Sequence, residues 1–502
     1  MTLSTVDGIG PVTGWSDEIL VAGRWRRGGG DLIETRDPAT GAVVHAFHGA
    51  ALEDVEEAVA GGHAAARESG WRDLLPHERA RVLYRIGDLI EERADEIARV
   101  QTADTGKTLG ETRALAASAA GTFRYMAAAL ETMEESVTPQ RGGSLTMTVH
   151  EPYGVVAAIT PWNSPIASDA QKVAPALAAG NAVVLKPPVW APLVSLLLGR
   201  ICEEAGLPPG LLSVLPGSGR IIGNALVAHP GVGKISFTGG TTTGRSIGRV
   251  AADKVMPVTL ELGGKSPTIV FPDADLDQAV AGVAYGIFSS SGQSCIAGSR
   301  VFVHAEVYDE FVRRLVERAE SLRVGPGTDP ATDIAPMVHH DHRDQVAEMV
   351  RQAVEEGAQV LTGARVPEDE VLSEGAYYLP TILGGVRNED TICREEIFGP
   401  VAVVLSFEDE SELIAQANDN DFGLACGIWT ADYRRAWRIA RAVEAGTVWI
   451  NTYKQFSIST PFSGHKESGL GTEKGRDGIA QYMRQKSLYW DLTGEPIPWG
   501  RH

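Results

Sequence analysis

Apolar and polar positions change rhythm several times along this chain. Residues 1–30 are Gly-rich and weakly patterned, with Gly28, Gly29 and Gly30 closing what reads as an arm. From 52 to 133 the apolar positions repeat at helical spacing. Ile86, Leu89, Ile90 and Ile97 fall on one face, and Pro76 suits a first helical turn, where no N–H is needed. Asp104-Thr-Gly-Lys107 interrupts this run, and 109–133 resumes it with many alanines. Residues 144–149 then alternate like a strand, exposed and set between two segments of a domain, and so a candidate for pairing with another subunit.

From Tyr153 onward, short apolar runs alternate with helical stretches. The runs at 155–160, 182–186, 212–215, 234–237 and 258–262 predict one series of strands, each ending in small or polar residues. Those at 268–271, 301–304, 401–407, 426–429 and 448–451 predict a second. Such alternation implies parallel sheets with helices on both faces and a ligand at the carboxyl ends of the strands. The expected fold is therefore α/β: two doubly wound parallel-sheet domains in succession. We place a Rossmann-like dinucleotide-binding domain at 1–134 and 153–260, and a catalytic domain at 261–467. Segments 135–152 and 484–497, the latter with a second strand at 487–492, make a small β arm that bridges subunits.

Composition narrows the function classes. A chain of 502 residues exceeds one hydrophobic core. Its net charge of −20 argues against nucleic acid and anionic membranes as partners. No apolar run reaches the roughly 18 residues of a membrane span. Residues 1–14 lack the basic flank and apolar run of a signal peptide. Cys202, Cys295, Cys393 and Cys426 show neither CxxC pairing nor metal-like spacing with histidines, which suits a reducing compartment. The expectation is a cytoplasmic protein with no metal site.

The candidate chemistry lies at strand ends. Cys295 sits in Ser289-Ser-Ser-Gly-Gln-Ser-Cys295-Ile-Ala-Gly, where small neighbours leave a thiol accessible and let backbone N–H groups approach what it attacks. Asn163, after the first strand in Pro161-Trp162-Asn163, offers a neutral donor for an oxyanion. Glu261 ends the last strand of the first series at the seam between domains, a place for a general base. Lys186 ends the second strand, where a dinucleotide fold reads the adenosine ribose. Phe237-Thr238-Gly239-Gly240 bridges a strand to a helix and lets backbone approach a phosphate. The G-x-G-x-x-G fingerprint is absent, since Gly217, Gly219 and Gly223 are spaced differently. Glu396 and Phe398 add a carboxylate for a ribose and an aromatic to pack on a ring.

Together these motifs resemble the aldehyde dehydrogenase superfamily, over about 19–489. The resemblance rests on PWN (161–163), KPP (186–188), FTGG (237–240), ELGGKSP (261–267), GQSC (292–295), EEIFGPV (395–401) and PFSGHKESG (461–469), in that order. It implies NAD(P)-dependent oxidation of an aldehyde to the carboxylic acid. Cys295 would be the nucleophile, Asn163 and the Cys295 N–H the oxyanion donors, and Glu261 the base that activates water. Lys172 and Glu473 would relay the proton. The cofactor, NAD or NADP, would be held by Ile159, Thr160, Pro161, Trp162, Lys186, Val189, Gly223, Phe237, Thr238, Gly239, Gly240, Leu262, Gly263, Glu396 and Phe398. The segments around 144–149 and 487–492 imply a homodimer or homotetramer with a shared sheet.

Departures from the family pattern sharpen the reading. Val189 stands where many NAD-using members carry a Glu for the ribose 2′-hydroxyl, so a 2′-phosphate meets no repulsion there. Gly240 stands where a Ser often contacts the pyrophosphate. Ser168, Gln171 and Ser289 replace bulky or aromatic tunnel residues, while Phe456 and Phe462 remain on the other side. This implies a roomier, more polar tunnel for a functionalised or cyclic aldehyde. Three rivals stay open at this level: a CoA-acylating enzyme, whose branch typically lacks the Glu of ELGG; a non-catalytic protein of the same fold; and a cofactor-free cysteine hydrolase, which needs a His beside the thiol.

Overall fold

The structure is a computed structural model that describes residues 16–140, 142–497, 499 and 500. The first sheet has eight strands. Its five central ones run parallel in the order Leu212–Val214, Ala182–Lys186, Val155–Ile159, Lys234–Thr238 and Val258–Glu261. Val155–Ile159 and Ala182–Lys186 are buried at every position, which is why they read as continuous apolar runs rather than alternating ones. Chain order reverses between Val155–Ile159 and Lys234–Thr238. This switch point opens a crevice beyond their carboxyl ends, at Thr160-Pro161-Trp162 and Thr238-Gly239-Gly240.

The second sheet has seven strands. Thr381–Gly384, Val401–Phe407, Arg300–His304, Pro267–Val270, Ala425–Trp429 and Thr447–Ile450 run parallel in that order. Both sheets depart from the purely parallel expectation at their edges. Ile19–Val21, Arg24–Arg26 and Gly469–Leu470 join the first sheet antiparallel, and Gln359–Thr362 joins the second the same way.

Two corrections follow. The N-terminal stretch is not simply an arm. Residues 1–15 lie outside the described residues, but Ile19–Val21 is a fully buried strand seated against Leu212–Val214. Three residues are too few to set up a periodicity, so the pattern was illegible. The strands Gln359–Thr362 and Thr381–Gly384 are likewise additions. The first is a half-exposed edge and the second has only four residues.

The helical run resolves into Leu52–Glu68, Pro76–Glu92, Ala94–Thr105 and Leu109–Glu131. Gly106, at φ 75°, ends the third, and Thr108 caps the fourth with a reciprocal bond to Glu111. Strand Ser144–Pro152 pairs with Met483–Asp491 of the same chain, Ser144 opposite Asp491 and Pro152 opposite Met483. On the outer strand Tyr489 and Trp490 are exposed. Among the described residues, no helix is long and apolar enough to cross a membrane.

Candidate active site

Cys295 is presented by a loop that the chain must be forced to adopt. Helix Leu276–Phe288 ends, and Ser290, Ser291 and Gly292 follow with φ of 57°, 53° and 68°. Consecutive left-handed residues are costly for L side chains. The surroundings impose them. The Ser290 N–H and hydroxyl donate to the Glu111 carboxylate at 2.6 and 3.0 Å. The Ser291 hydroxyl donates to the Ala335 carbonyl at 2.6 Å, and the Gln293 side-chain oxygen accepts from the Val338 N–H at 2.8 Å. The Tyr453 hydroxyl donates to the carbonyl of Ile296, beyond the thiol. Cys295 emerges half-buried and without a disulfide.

The thiol opens on a cavity of about 320 Å³. Asn163, Ser168, Gln171, Thr238, Glu261, Ser289, Phe456, Phe462 and Glu473 line it with Cys295. Ten sequence-derived residues are thus brought to one place from six parts of the chain. Asn163 donates through its amide to the Gln293 carbonyl at 3.1 Å, which fixes the side chain beside the thiol loop. Its second amide hydrogen has no protein partner among the described residues. Glu261 ends its strand directly opposite Thr238. It is buried, and neither carboxylate oxygen has a hydrogen-bond partner among the described residues.

That isolation sets the proton chemistry. Burial, and then the charge of Glu473, hold the Glu261 carboxyl well above its ordinary range, against the pull of Lys172 and Lys474. Burial, followed by the charges of Glu396 and Glu261, pushes the Cys295 thiol up to about 12, against Lys454 and Lys474. The Cys295 thiol therefore rests protonated near neutral pH. Behind Glu473 a buried network continues inward. Lys172 pairs with Glu473 and donates to Ser236 at 3.2 Å, and the Tyr482 hydroxyl also donates to Ser236, at 3.0 Å.

The other predicted residues gather at the crevice of the first sheet. Thr160 is buried beside the carboxyl of Asp169. Lys186 is buried too and, among the described residues, donates to the carbonyl of Pro187, at 2.9 Å; Gly223 lies against its stem. Gly239 folds back over the Phe237 ring, and Gly240 begins the thirteen-residue helix Thr241–Asp253 with no side-chain cap. The Glu396 carboxylate accepts from the Gly264 N–H at 3.1 Å and lies against Gly263. Trp162 meets Phe398 edge-on at 5.2 Å across the crevice. Ile159 ends its strand beside Lys186, the Leu262 N–H donates to Ser468, and Val189 is exposed at the rim. A bare helix N-terminus and glycine-lined backbone fit a dinucleotide.

A sequence model described as the Aldehyde dehydrogenase family matches residues 25–488. The chain belongs to that family. It is similar to the NAD+ complex of an aldehyde dehydrogenase from Bacillus cereus, with 37% identity, a TM-score of 0.92, and 95% and 96% of the two chains covered. It is also similar to a betaine aldehyde dehydrogenase from Staphylococcus aureus in complex with NAD+. There identity is 33%, TM-score 0.95, and coverage 97% of each chain.

This aldehyde dehydrogenase, an oxidoreductase acting on the aldehyde group, also carries tunnel residues that the sequence reading did not single out. Lys107, Glu111, Tyr285, Lys454 and Lys474 all reach the same cavity. Only two had a signal: Lys107 closes the break between helices, and Lys474 directly follows Glu473.

Proposed function

We propose that this family member oxidises a functionalised aldehyde to the carboxylic acid with NAD or NADP, through covalent addition to Cys295 and hydrolysis by water. One observation carries the reading: Cys295, Asn163 and the unpartnered Glu261 share a single cavity beside the dinucleotide crevice. The Cys295 thiol passes its proton to the Glu261 carboxylate, and the sulfur adds to the carbonyl carbon. The resulting oxyanion accepts hydrogen bonds from the free Asn163 amide hydrogen and the Cys295 N–H. When bound, NAD or NADP takes up the hydride that leaves this tetrahedral carbon, so that a thioester remains on Cys295. Glu261 then takes a proton from water, the hydroxide oxygen attacks the thioester, and the carbon–sulfur bond breaks. The acid departs and the thiolate is restored. The Glu473–Lys172 pair, reaching inward to Ser236, carries the proton away from Glu261.

Lys186 and Glu396 would hold the two riboses, and the backbone at Gly239 and Gly240 the phosphates. Ser168, Gln171, Ser289, Phe456 and Phe462 bound the substrate. The exposed outer strand Met483–Asp491, with Tyr489 and Trp490 on it, serves as the contact between subunits.

The test is reduced-cofactor formation from an aldehyde panel without CoA. Cys295→Ala should abolish turnover while cofactor binding persists. Glu261→Gln should leave about one equivalent of rapid reduction per site followed by slow release. Dependence of turnover on added CoA would assign the acyl-CoA branch instead, and near-normal turnover in Cys295→Ala would overturn the reading.

A further inference from the structure

The tunnel carries lysines that the reaction at Cys295 leaves unused, and burial lowers all three of their ammonium groups, that of Lys454 to about 7. Six carboxyl and amino side chains border the cavity: Lys107, Glu111, Glu261, Lys454, Glu473 and Lys474. Two of the carboxylates are committed. Glu473 is paired with Lys172. Glu111 accepts from the N–H and hydroxyl of both Thr108 and Ser290. Burial would push the Glu111 carboxyl up, but Lys107 and these hydrogen bonds outweigh it and keep the group ionised. The third, Glu261, is held by burial well above the ordinary carboxyl range.

The ammonium groups are not matched in return. Among the described residues, neither Lys454 nor Lys474 forms an ion pair, and Lys107, buried near Glu111, has none at contact distance. Lys454 donates to the Ser289 hydroxyl at 2.8 Å. Lys474 lies over the rings of Phe456 and Phe462, 4.1 and 5.3 Å from their centroids. Aromatic faces steady a cation without cancelling its charge. Ammonium groups withdrawn from water without a counter-ion are costly, and a bound anion relieves that cost.

We propose that the tunnel selects aldehydes bearing an anionic group, carboxylate or phosphate, received by the Lys454 and Lys107 ammonium groups. Lys474 adds attraction from the Phe456 and Phe462 side. The cavity, about 320 Å³, lies at the small end of ligand sites and suits a short bifunctional molecule. The inference rests on the reading of Cys295 as the nucleophile and concerns only the part of the substrate remote from the aldehyde.

The experiment compares 4-oxobutanoate and 5-oxopentanoate with their methyl esters, with 4-aminobutanal and with glyceraldehyde 3-phosphate, using saturating cofactor. Carboxylates should exceed their esters in kcat/KM by about tenfold or more, the scale of a charge-assisted hydrogen bond. The aminoaldehyde should be poorer than either. A stronger preference for the phosphate supports the same subsite with the other anion. Lys454→Met should collapse the acid-to-ester ratio by about tenfold, mainly through KM, and Lys454→Arg should retain most of it. A wild-type ratio of one or less overturns the proposal while leaving aldehyde oxidation intact. So does Lys454→Met if it lowers acid and ester equally, because that places Lys454 with the thiol. If no aldehyde of any charge reduces the cofactor, the reading of Cys295 fails and this one with it.

Discussion

Glu111 and Ser290 lie 179 positions apart in the chain and are joined twice, through the backbone N–H and the hydroxyl of Ser290. The carboxylate thereby anchors the first left-handed residue of the loop that presents Cys295. Glu111→Ala should lower kcat/KM by about tenfold to a hundredfold, since small displacements of a nucleophile are expensive. Glu111→Gln, which keeps an acceptor for both donors, should recover much of that loss. Steady-state kinetics of the two variants, beside circular dichroism spectra, would separate loop placement from unfolding.

Gly292 has no room for even a methyl group. At φ 68°, an added Cβ would stand 1.9 Å from the carbonyl oxygen of Gly399, a backbone atom. Gly292→Ala therefore combines left-handed strain with a steric clash, costing about 3 kcal/mol or more. A fall in Tm together with loss of thiol labelling at Cys295 is the expected result. Wild-type values for both would refute it.

The acid–base state of the site predicts how rate follows pH. With the thiol pushed up to about 12 and the Glu261 carboxyl raised, both active forms are the deprotonated ones. Their fractions grow as pH rises, so kcat/KM should climb from pH 6 through at least pH 9. Glu261→Gln should remove the carboxylate's contribution to the kcat profile but leave the thiol's contribution to acylation. A pH profile that is flat from 6 to 9 would contradict this.

Cofactor choice should respond to Val189, which is exposed at the rim of the crevice near buried Lys186. Without a carboxylate there, kcat/KM with NADP should lie within a hundredfold of that with NAD. Val189→Glu should shift the ratio toward NAD by about tenfold or more, because a carboxylate accepts from a 2′-hydroxyl and repels a 2′-phosphate.

Much of this architecture could be read in advance because buried strands of a parallel sheet are continuous apolar runs with sharp ends. The ten strands placed in the two sheets lie within a residue of those observed, whereas 144–149 and 487–492 stop three and start four residues inside Ser144–Pro152 and Met483–Asp491. What escaped was short or convergent. Ile19–Val21 is three residues long, and its burial depends on a strand nearly two hundred positions away. Lys107, Lys454 and Lys474 come from three separate segments, each an ordinary lysine in its own context. Only folding turns them toward one cavity. No local pattern distinguishes a lysine facing a tunnel from one facing water.

The way Glu473 completes the site also bears on when the site comes into being. Gly469–Leu470 adds the edge strand beside Val258–Glu261, the Leu262 N–H donates to Ser468, and Glu473 closes the pair with Lys172. Cys295 and Glu261 thus precede Glu473 by 178 and 212 positions, and the ion pair with Lys172 forms only once the segment that carries Glu473 has docked on the first sheet.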